Sequence, residues 1–279
     1  MDLSNNNVIH VKKGKVEYLQ FKRLLEYKGI LNHAYSLGKD VNFRTAKVDK
    51  TPLPKEEYER AIRDYKNLCD SIGSNYINIV KTNQNHTNNV KIVDKELKID
   101  APDINLEEYD QIDGLVTNKK NLILSTTNAD CILLLFFDPI KKVIANVHSG
   151  WKGTLQRISV VTIEKMINEF GSKPEDIICC ILPSIRKCHF EVDEDVKDMF
   201  INEFKDLNEL DKIIKEKQNK WYIDTVLINK IILKKAGMLN SNIIDSEICS
   251  VCNKNLVHSF RVEKEGYGLA TALIALKGD

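Results

Sequence analysis

Short apolar runs separated by turn residues recur along the chain, which is the pattern of a protein rich in strands. Residues 16–21 alternate between polar and apolar positions, and the apolar run at 132–137 is closed by the turn pair Asp138-Pro139. The run at 143–148 ends just before Gly150. We predict strands over residues 8–11, 16–21, 30–37, 76–80, 115–117, 122–126, 132–137, 143–148 and 177–182.

Other segments carry helical periodicity. Val160, Ile163, Ile167 and Phe170 recur at spacings of three and four, and Gly171 follows them as a stop signal. We predict helices over residues 54–68 (capped by Thr51), from Gly153 to Phe170, over 193–204 and over 225–236, with a solvated helical face at 205–220. Strands and helices are interleaved without a repeat or a linker, which predicts one α+β domain over residues 1–279.

The composition narrows the class of protein. Lys and Arg number 41 against 40 Asp and Glu, so the net charge of +1 gives no bulk attraction to nucleic acid or to a membrane. The longest apolar run, at 131–137, is too short to span a bilayer, and the first seven residues do not begin a signal peptide. Seven cysteines, an odd number, fit reduced thiols. We expect a cytoplasmic protein, a monomer or weak homo-oligomer, with neither nucleic acid nor membrane as partner.

Three potential metal ligands, His86, Cys131 and His148, fall at predicted strand ends. Side chains at such ends converge on clefts, and one thiolate with two imidazoles suits zinc. Three protein ligands leave the fourth position of zinc open for chemistry. Taken singly, each residue is more often structural, Cys131 as a small buried hydrophobe. Taken together, they predict an open zinc centre.

Gly150 and Gly153 flank Lys152 just before a predicted helix. Glycines let a backbone approach a ligand closely, and a helix N-terminus attracts anions, so this segment is a candidate phosphate site. A glycine turn that carries a surface lysine is the alternative interpretation.

The remaining cysteines point to chemistry less clearly. Cys249 and Cys252 form a CxxC, which is typical of a redox pair or of half a zinc site, but no second pair accompanies it. Cys188 precedes His189, a nucleophile–base neighbourhood whose geometry adjacency alone does not supply. Cys179-Cys180 lies in a predicted strand, where neighbours face opposite ways.

Five segments resemble, in the same order, the motifs of the laccase-domain family, also called multicopper polyphenol oxidases or peptidoglycan editing factors. The family has Gln-Val-His-Gly, Thr-Ala-Asp-Cys, His-Ala-Gly-Trp-Arg-Gly, Gly-Pro-x-Ile-Gly-Pro leading into Tyr-Glu-Val, and Ser-Tyr-Arg-Arg. This chain has Gln-Asn-His-Thr at 84–87, Asn-Ala-Asp-Cys at 128–131, His-Ser-Gly-Trp-Lys-Gly at 148–153, Leu-Pro-Ser-Ile-Arg-Lys leading into Phe-Glu-Val at 182–192, and Ser-Phe-Arg-Val at 259–262. The segments at 33–36 and 42–43 resemble the family's N-terminal pattern.

The resemblance implies a single-domain layered α/β sandwich with mixed central sheets, in which the three ligands hold zinc and form the catalytic centre. It implies phosphorolysis of adenosine, inosine, guanosine and methylthioadenosine, with adenosine deamination as a second activity. The partners would be a purine nucleoside and phosphate. The candidate substrate or phosphate residues are Lys152, Arg261 and Asn42.

The chain is a divergent member by the same comparison. Leu182 and Arg186 replace both glycines of the family's Gly-Pro-x-Ile-Gly, and Val262 replaces the second arginine of Ser-Tyr-Arg-Arg. Leu269 stands where the family has an arginine. These losses weaken the substrate assignment more than the metal assignment.

The residues of this chain give little support to the copper oxidase activity in the family's name. A multicopper centre needs many imidazoles, largely in His-x-His pairs, and this chain has six histidines and no such pair. The histidine content argues against copper as the cofactor and leaves Zn²⁺ as the expected metal.

Two alternatives stay open. In the first, Cys131 is a nucleophile and His148 its base, which gives a hydrolase or amidase linked to peptidoglycan quality control. In the second, the chain keeps the fold and the metal but binds a partner without catalysing a reaction.

Overall fold

Two six-stranded sheets form the centre of the protein in a computed structural model, which describes residues 1–47, 51–94, 102, 104 and 106–278. The strands are β1 (Val8–Lys13), β2 (Val16–Phe21), β3 (Leu31–Leu37), β4 (Ile79–Lys81), β5 (Val90–Ile92), β6 (Gly114–Thr117), β7 (Ile123–Asn128), β8 (Ile132–Asp138), β9 (Val143–Ser149), β10 (Ile178–Ile181), β11 (Glu191–Val192), β12 (Ile214–Lys217), β13 (Lys220–Ile223), β14 (Ile243–Asp245) and β15 (Ala270–Leu276). The α-helices are α1 (Lys22–Leu25), α2 (Lys55–Ser71), α3 (Trp151–Leu155), α4 (Ile158–Phe170), α5 (Glu194–Phe204), α6 (Leu210–Ile213), α7 (Thr225–Lys235) and α8 (Phe260–Glu263).

Both large sheets are mixed, as predicted. The first has the strand order β1-β2-β3-β15-β7-β4 and is antiparallel except where β4 pairs with β7. The second has the order β14-β10-β8-β9-β6-β5, antiparallel in its centre and parallel at both edges. A small third sheet, β11-β13-β12, lies apart from these two.

The two large sheets pack face to face and are covered by helices on their outer faces. Between them lies one apolar cluster that contains Tyr35 and Leu124 from the first sheet and Leu135 from the second. Helices α4 and α7 cover the outer face of the second sheet, and α2 covers that of the first. Burial on both faces of the sheet explains the continuous apolar run of β8. The predicted layered α/β sandwich with mixed sheets is confirmed.

Cys179 and Cys180 show the alternation that the strand prediction required. Cys179 belongs to the cluster between the second sheet and its helices, whereas Cys180 belongs to the cluster between the sheets. Adjacent residues of β10 therefore face opposite layers, and these two thiols serve no common site.

The helix predicted between Gly153 and Phe170 differs in its start and in its continuity. It begins earlier, at Trp151, and is interrupted between α3 and α4, where Arg157 adopts a left-handed φ of 56°. Its C-terminus matches the prediction, since Gly171 caps α4 with a φ of 68°.

The predicted cap and the predicted charged helix were wrong. Helix α2 begins at Lys55 with Pro54 as its N-cap residue and no side-chain cap, so Thr51 lies three residues before the cap position. Residues 205–220 hold α6 and then β12, which pairs with β13 as a hairpin. Gln218 and Asn219 both have positive φ, the geometry of a tight hairpin turn, so local turn chemistry outweighed the helical composition of this segment.

Some short elements were also mispredicted. Residues 76–80 divide into a 3₁₀ turn, Tyr76–Asn78, and the start of β4. Strands β5, β11, β13 and β14 were not predicted, since runs of two to four residues carry too little periodicity. Within the described part of the chain, no helix combines the length and the apolar character needed to cross a bilayer.

A buried asparagine joins the two large sheets. Asn146 on β9 donates from Nδ2 to the carbonyls of Leu124 and Ala272, each at 2.8 Å, and both acceptors belong to the first sheet. Thr126 donates its hydroxyl to Asn146 Oδ1 at 2.5 Å. The bonds cross an otherwise apolar interface, where a polar group without a partner is costly.

We expect Asn146→Leu to lower the free energy of unfolding by roughly 2–4 kcal/mol, since it strips partners from two buried carbonyls and a buried hydroxyl. Denaturant unfolding measures the change, and Asn6→Leu is the matched control because Asn6 is exposed. Equal unfolding midpoints for the two variants would show that the bridge contributes nothing to stability.

Candidate metal centre

The three predicted ligands come from separate segments that meet at one end of the central strands of the second sheet. Cys131 lies in the turn between β7 and β8, and His148 lies near the end of β9. Because Leu133 pairs opposite His148, the turn that carries Cys131 lies beside the end of β9. His86 comes from the loop at 82–89, between β4 and β5.

The donor atoms of these residues form one compact group. Cys131 Sγ lies 3.7 Å from His86 Nε2, and the donor atoms of all three residues lie within 4.8 Å of one another. The two imidazole rings meet edge to face, with centroids 4.9 Å apart. In a tetrahedral zinc site a nitrogen and a sulfur ligand are about 3.5 Å apart, so the observed group fits zinc.

A buried carboxylate that the sequence analysis missed holds two of the ligands in place. Asp113 is fully buried and accepts a hydrogen bond from His148 Nδ1 at 2.8 Å, which leaves Nε2 of that ring free to bind a metal. Its two oxygens also accept the backbone N–H groups of Asn85, His86 and Thr87 at 2.8–3.1 Å. In sequence Asp113 precedes a glycine, which reads as an ordinary turn and gives no signal of this role.

The electrostatics of the centre favour a thiolate. Burial alone would raise the pKa of the Cys131 thiol, but the neighbouring His148 and His86 outweigh it and lower that pKa to about 6. Burial alone would lower the pKa of His148, but Cys131 and Asp113 raise it to about 9. Each member of the pair thus favours the charged form of the other. A thiolate is also the form of cysteine that binds metal ions.

The side chains of the candidate ligands leave no room for a Cβ at Gly150. A Cβ at this position would lie 2.6 Å from His86 Cδ2 and 3.3 Å from Cys131 Sγ. No real side chain tolerates the first of these distances, so only glycine lets the backbone pass behind the three donors. The sequence predicted that Gly150 lets the backbone approach a ligand. In the structure it leaves room for the side chains of His86 and Cys131.

The helix after Gly150, which the sequence suggested as an anion site, is short. Helix α3 spans only five residues, and its first turn contains both Lys152 and Gly153. A Cβ on Gly153 would lie 3.1 Å from the carbonyl of Thr87, so this glycine serves packing against the His86 loop.

The metal centre opens into a cavity of about 850 Å³. His86, Cys131 and His148 lie in its wall, so a metal bound by them would be reachable by a small molecule. Aromatic side chains line other parts of the wall, and they are Trp151, Phe190, Phe260 and Tyr267. A cavity of this size with apolar walls and a few polar groups is typical of small-molecule sites.

Cations line the same cavity. Lys81 is 7% exposed, and burial, reinforced by nearby Arg44, lowers its pKa to about 8. The guanidinium of Arg44 lies over the Tyr267 ring at 4.3 Å and donates to the backbone carbonyl of Tyr267 at 3.0 Å. Arg261 also lines the cavity, and its guanidinium donates to the carbonyls of His189 and Glu191 at 3.1 and 3.0 Å. These contacts hold the two guanidinium groups in place.

The predicted substrate residues divide into two groups. Arg261 lies in the cavity wall, whereas Lys152 is exposed, 5.4 Å from the Trp151 ring, and lies outside the lining. Asn42 lies outside it too and accepts the backbone N–H groups of Arg44 and Leu269, so it shapes the segment that carries Arg44. Lys81, at the end of β4, and Arg44, in the segment between β3 and α2, gave no signal in the sequence, because isolated cations look like surface residues until the fold places them beside a cavity.

The chain is similar in sequence to a known family and to named proteins. Residues 49–277 match the family described as "Multi-copper polyphenol oxidoreductase laccase". The chain is 27% identical over 216 residues to the Homo sapiens protein named "Purine nucleoside phosphorylase LACC1", covering 76% of this chain and 46% of that protein. It is 29% identical over 196 residues to "Adenosine deaminase RL5" of an unknown prokaryotic organism, covering 70% of this chain and 73% of that protein.

The solved structures extend the similarity to the whole fold. The crystal structure of the Bacillus licheniformis hypothetical protein YfiH matches with a TM-score of 0.79 and 24% identity, covering 93% of this chain and 96% of that one. This likeness supports the fold alone. The match to the human relative spans less than half of that protein's length.

We expect Asp113→Asn to weaken zinc binding at this centre by roughly 10- to 100-fold, the usual effect of removing the carboxylate behind a metal-binding histidine. Competition with a chromophoric chelator measures the change. Asp138→Asn is the matched control, because Asp138 is equally buried and accepts the backbone N–H groups of Ile140 and Lys141 at the opposite end of β8 from Cys131. Unchanged zinc affinity in Asp113→Asn would contradict the role given to this carboxylate.

Proposed function

Since the chain belongs to the family described as multi-copper polyphenol oxidoreductase laccase, we propose that it is a zinc-dependent purine nucleoside phosphorylase with adenosine deaminase activity. The observation that carries the proposal is the group His86, Cys131 and His148 in the wall of a cavity that also holds fixed cations. The names of two relatives support the two reactions. Adenosine, inosine, guanosine and methylthioadenosine are the proposed nucleosides.

The small number of histidines supports zinc over a multicopper cluster. One sulfur and two imidazole donors within 4.8 Å suit a single tetrahedral ion. Two of the other histidines are engaged elsewhere, since His33 accepts the backbone N–H of Phe21 and His258 contacts Glu263. A multinuclear copper cluster would need more imidazoles than the two that meet here. When bound, zinc would supply a Lewis acid at the end of the cavity.

The cavity cations suit phosphate as the second substrate. In phosphorolysis an oxygen of phosphate bonds to C1′ of the ribose, the bond from C1′ to the purine nitrogen breaks, and the purine leaves with the bonding electrons. Lys81, Arg44 and Arg261 would attract the phosphate and hold it by charge-assisted hydrogen bonds. With a pKa near 8, Lys81 is mostly protonated at pH 7 and meets the anion as a cation.

The aromatic wall suits the purine. Stacking on aromatic side chains binds a base through its ring face, and Trp151, Phe190, Phe260 and Tyr267 offer such faces. In deamination, water adds at C6 of adenosine and ammonia leaves, so the purine edge must reach the metal end of the same cavity. The amides of Gln84 and Asn128 are nearby, but both are bonded to the protein and help to shape the wall.

We expect zinc-loaded protein to convert inosine to hypoxanthine only when phosphate is present, and to convert adenosine to inosine without it. Chromatography of the reactions separates these products. Cys131→Ser should lower both rates at least about 100-fold, because it removes a metal ligand and not merely its support. Cys69→Ser, a change at a buried cysteine on α2, is the control that should stay active.

Unchanged nucleosides in both conditions, with stoichiometric zinc bound, would make the proposed function wrong for this chain. Activity that is lost on chelation and restored by copper but not by zinc would instead correct the metal.

One observation favours a second candidate. Cys131, His148 and Asp113 form a chain in which the carboxylate orients the imidazole and the imidazole faces the thiol. This order of groups is that of a cysteine hydrolase, in which the thiolate attacks an acyl carbon. An amidase acting on peptidoglycan fragments would use this arrangement without a metal.

Alkylation separates the two candidates. We expect iodoacetamide to label Cys131 in metal-free protein and stoichiometric zinc to block the label, since a coordinated thiolate is a poor nucleophile. Mass spectrometry of the digested protein reads the label, and buried Cys69 reports any general unfolding. Labelling of Cys131 that persists in zinc, together with amide hydrolysis, would support the hydrolase.

A further inference from the structure

A second group of metal-binding side chains lies outside the cavity centre. Cys188 and His189 occupy a turn after β10, and Cys249 and Cys252 occupy a turn after β14. Although 61 residues separate Cys188 from Cys249, the donor atoms of all four side chains lie within 4.8 Å of one another.

Five of the six distances between donor atoms in this group are close to those of a tetrahedron. Cys188 Sγ lies 3.6 Å from Cys249 Sγ and 4.0 Å from Cys252 Sγ. His189 Nδ1 lies 3.1, 3.6 and 3.6 Å from the sulfurs of Cys188, Cys249 and Cys252, in that order. Around one zinc ion, two sulfur ligands are about 3.8 Å apart and a sulfur and a nitrogen about 3.5 Å. The four donors therefore surround a point at which zinc would fit.

A disulfide does not account for the arrangement. Bonded sulfurs are about 2.0 Å apart, far closer than the 3.6 Å between Cys188 and Cys249. A redox pair would also leave the third thiol and the imidazole without a reason to converge. Four donors at nearly equal spacings are instead what a structural metal site requires.

The two turns have the local structure that such a site needs. His189 and Phe190 both donate backbone N–H groups to the carbonyl of Arg186, so the first turn is tight enough to aim adjacent side chains at one point. In the second turn, the backbone and side-chain N–H groups of Asn253 both donate to the carbonyl of Cys249. This bond wraps the CxxC segment so that both of its sulfurs face the same way.

We propose that Cys188, His189, Cys249 and Cys252 bind a second zinc ion in a closed structural site. Four protein ligands leave no open position, so this ion supports the fold and does not take part in a reaction. It joins the turn after β10 to the turn after β14, and the ligands of the cavity centre are not needed to form it.

The site would also brace one wall of the cavity. Arg261 donates to the carbonyl of His189 at 3.1 Å, and Ser250, inside the CxxC, donates to Asp130 Oδ1 at 2.5 Å. The other oxygen of Asp130 accepts the backbone N–H of Arg261 at 2.7 Å, and Asp130 precedes Cys131. A metal that holds the two turns together thus fixes the surroundings of both Arg261 and Cys131.

Zinc content of the chain tests the proposal independently of any enzymatic activity. We expect two zinc ions per chain in the purified protein, one in Cys252→Ser, one in His86→Ala and none in the double variant. Cys69→Ser is the matched control and should keep two. The Cys252→Ser variant should also melt roughly 5–15 °C lower, because a tightly bound ion stabilises the folded state.

Alkylation of the unaltered protein gives a readout that does not depend on a variant folding. Cys188 and Cys252 are exposed, so they should react quickly with iodoacetamide once a chelator has removed the metal, and slowly before that. Rapid alkylation of both in zinc-replete protein would overturn the proposal. Equal zinc content in Cys252→Ser and the unaltered chain, or a Cys188–Cys249 disulfide in protein purified without reductant, would overturn it as well.

Discussion

The hydrogen bonds of the Asp113 carboxylate are the interaction on which the candidate metal centre depends. Asp113 is fully buried, and an ionised carboxylate in such a place is tolerated only when its oxygens are fully hydrogen-bonded. Three consecutive backbone N–H groups and the imidazole of His148 supply those bonds. In the loop that supplies these N–H groups, His86 adopts a φ of 61°. This conformation is strained, and the hydrogen bonds to Asp113 stabilise it. The loop that carries one ligand and the ring of another are therefore held by the same charge.

Cys131 reaches the centre by a different constraint. The pairing of β8 with β9 places its turn beside His148, and Asp130, with a φ of 86°, aims the next residue inward. Asp130 is itself tied to Ser250 and Arg261. The thiolate is thus positioned from the C-terminal part of the chain, whereas the imidazoles are positioned from Asp113. Gly150 then allows the two arrangements to meet without a clash.

Periodicity predicted most of the fold because the long elements bury whole faces. β8, β9 and α4 show this directly, since each carries its pattern over at least seven residues. The hairpin of β12 and β13 was mistaken for a helical face, because its turn depends on two residues with positive φ that composition does not reveal. For the site, the three ligands could be predicted from their positions at strand ends. Asp113 could not, because its role depends on backbone groups about 27 residues away along the chain.

Dependence on residues distant in sequence also explains why the CxxC segment did not by itself predict a metal site. Spacing rules expect a second pair of cysteines, and here the second half is an adjacent cysteine and histidine whose turn aims both side chains at one point. The two groups of donors differ in their atoms and in their accessibility, so they suit different roles. One sulfur and two nitrogens at the wall of a cavity leave a metal accessible, whereas three sulfurs and a nitrogen enclose it. A closed site rich in thiolates stabilises a fold. An open site beside cations suits a reaction of an anionic substrate. Because Arg261 and Asp130 connect the two regions, the stability of the closed group bears directly on the geometry of the open one.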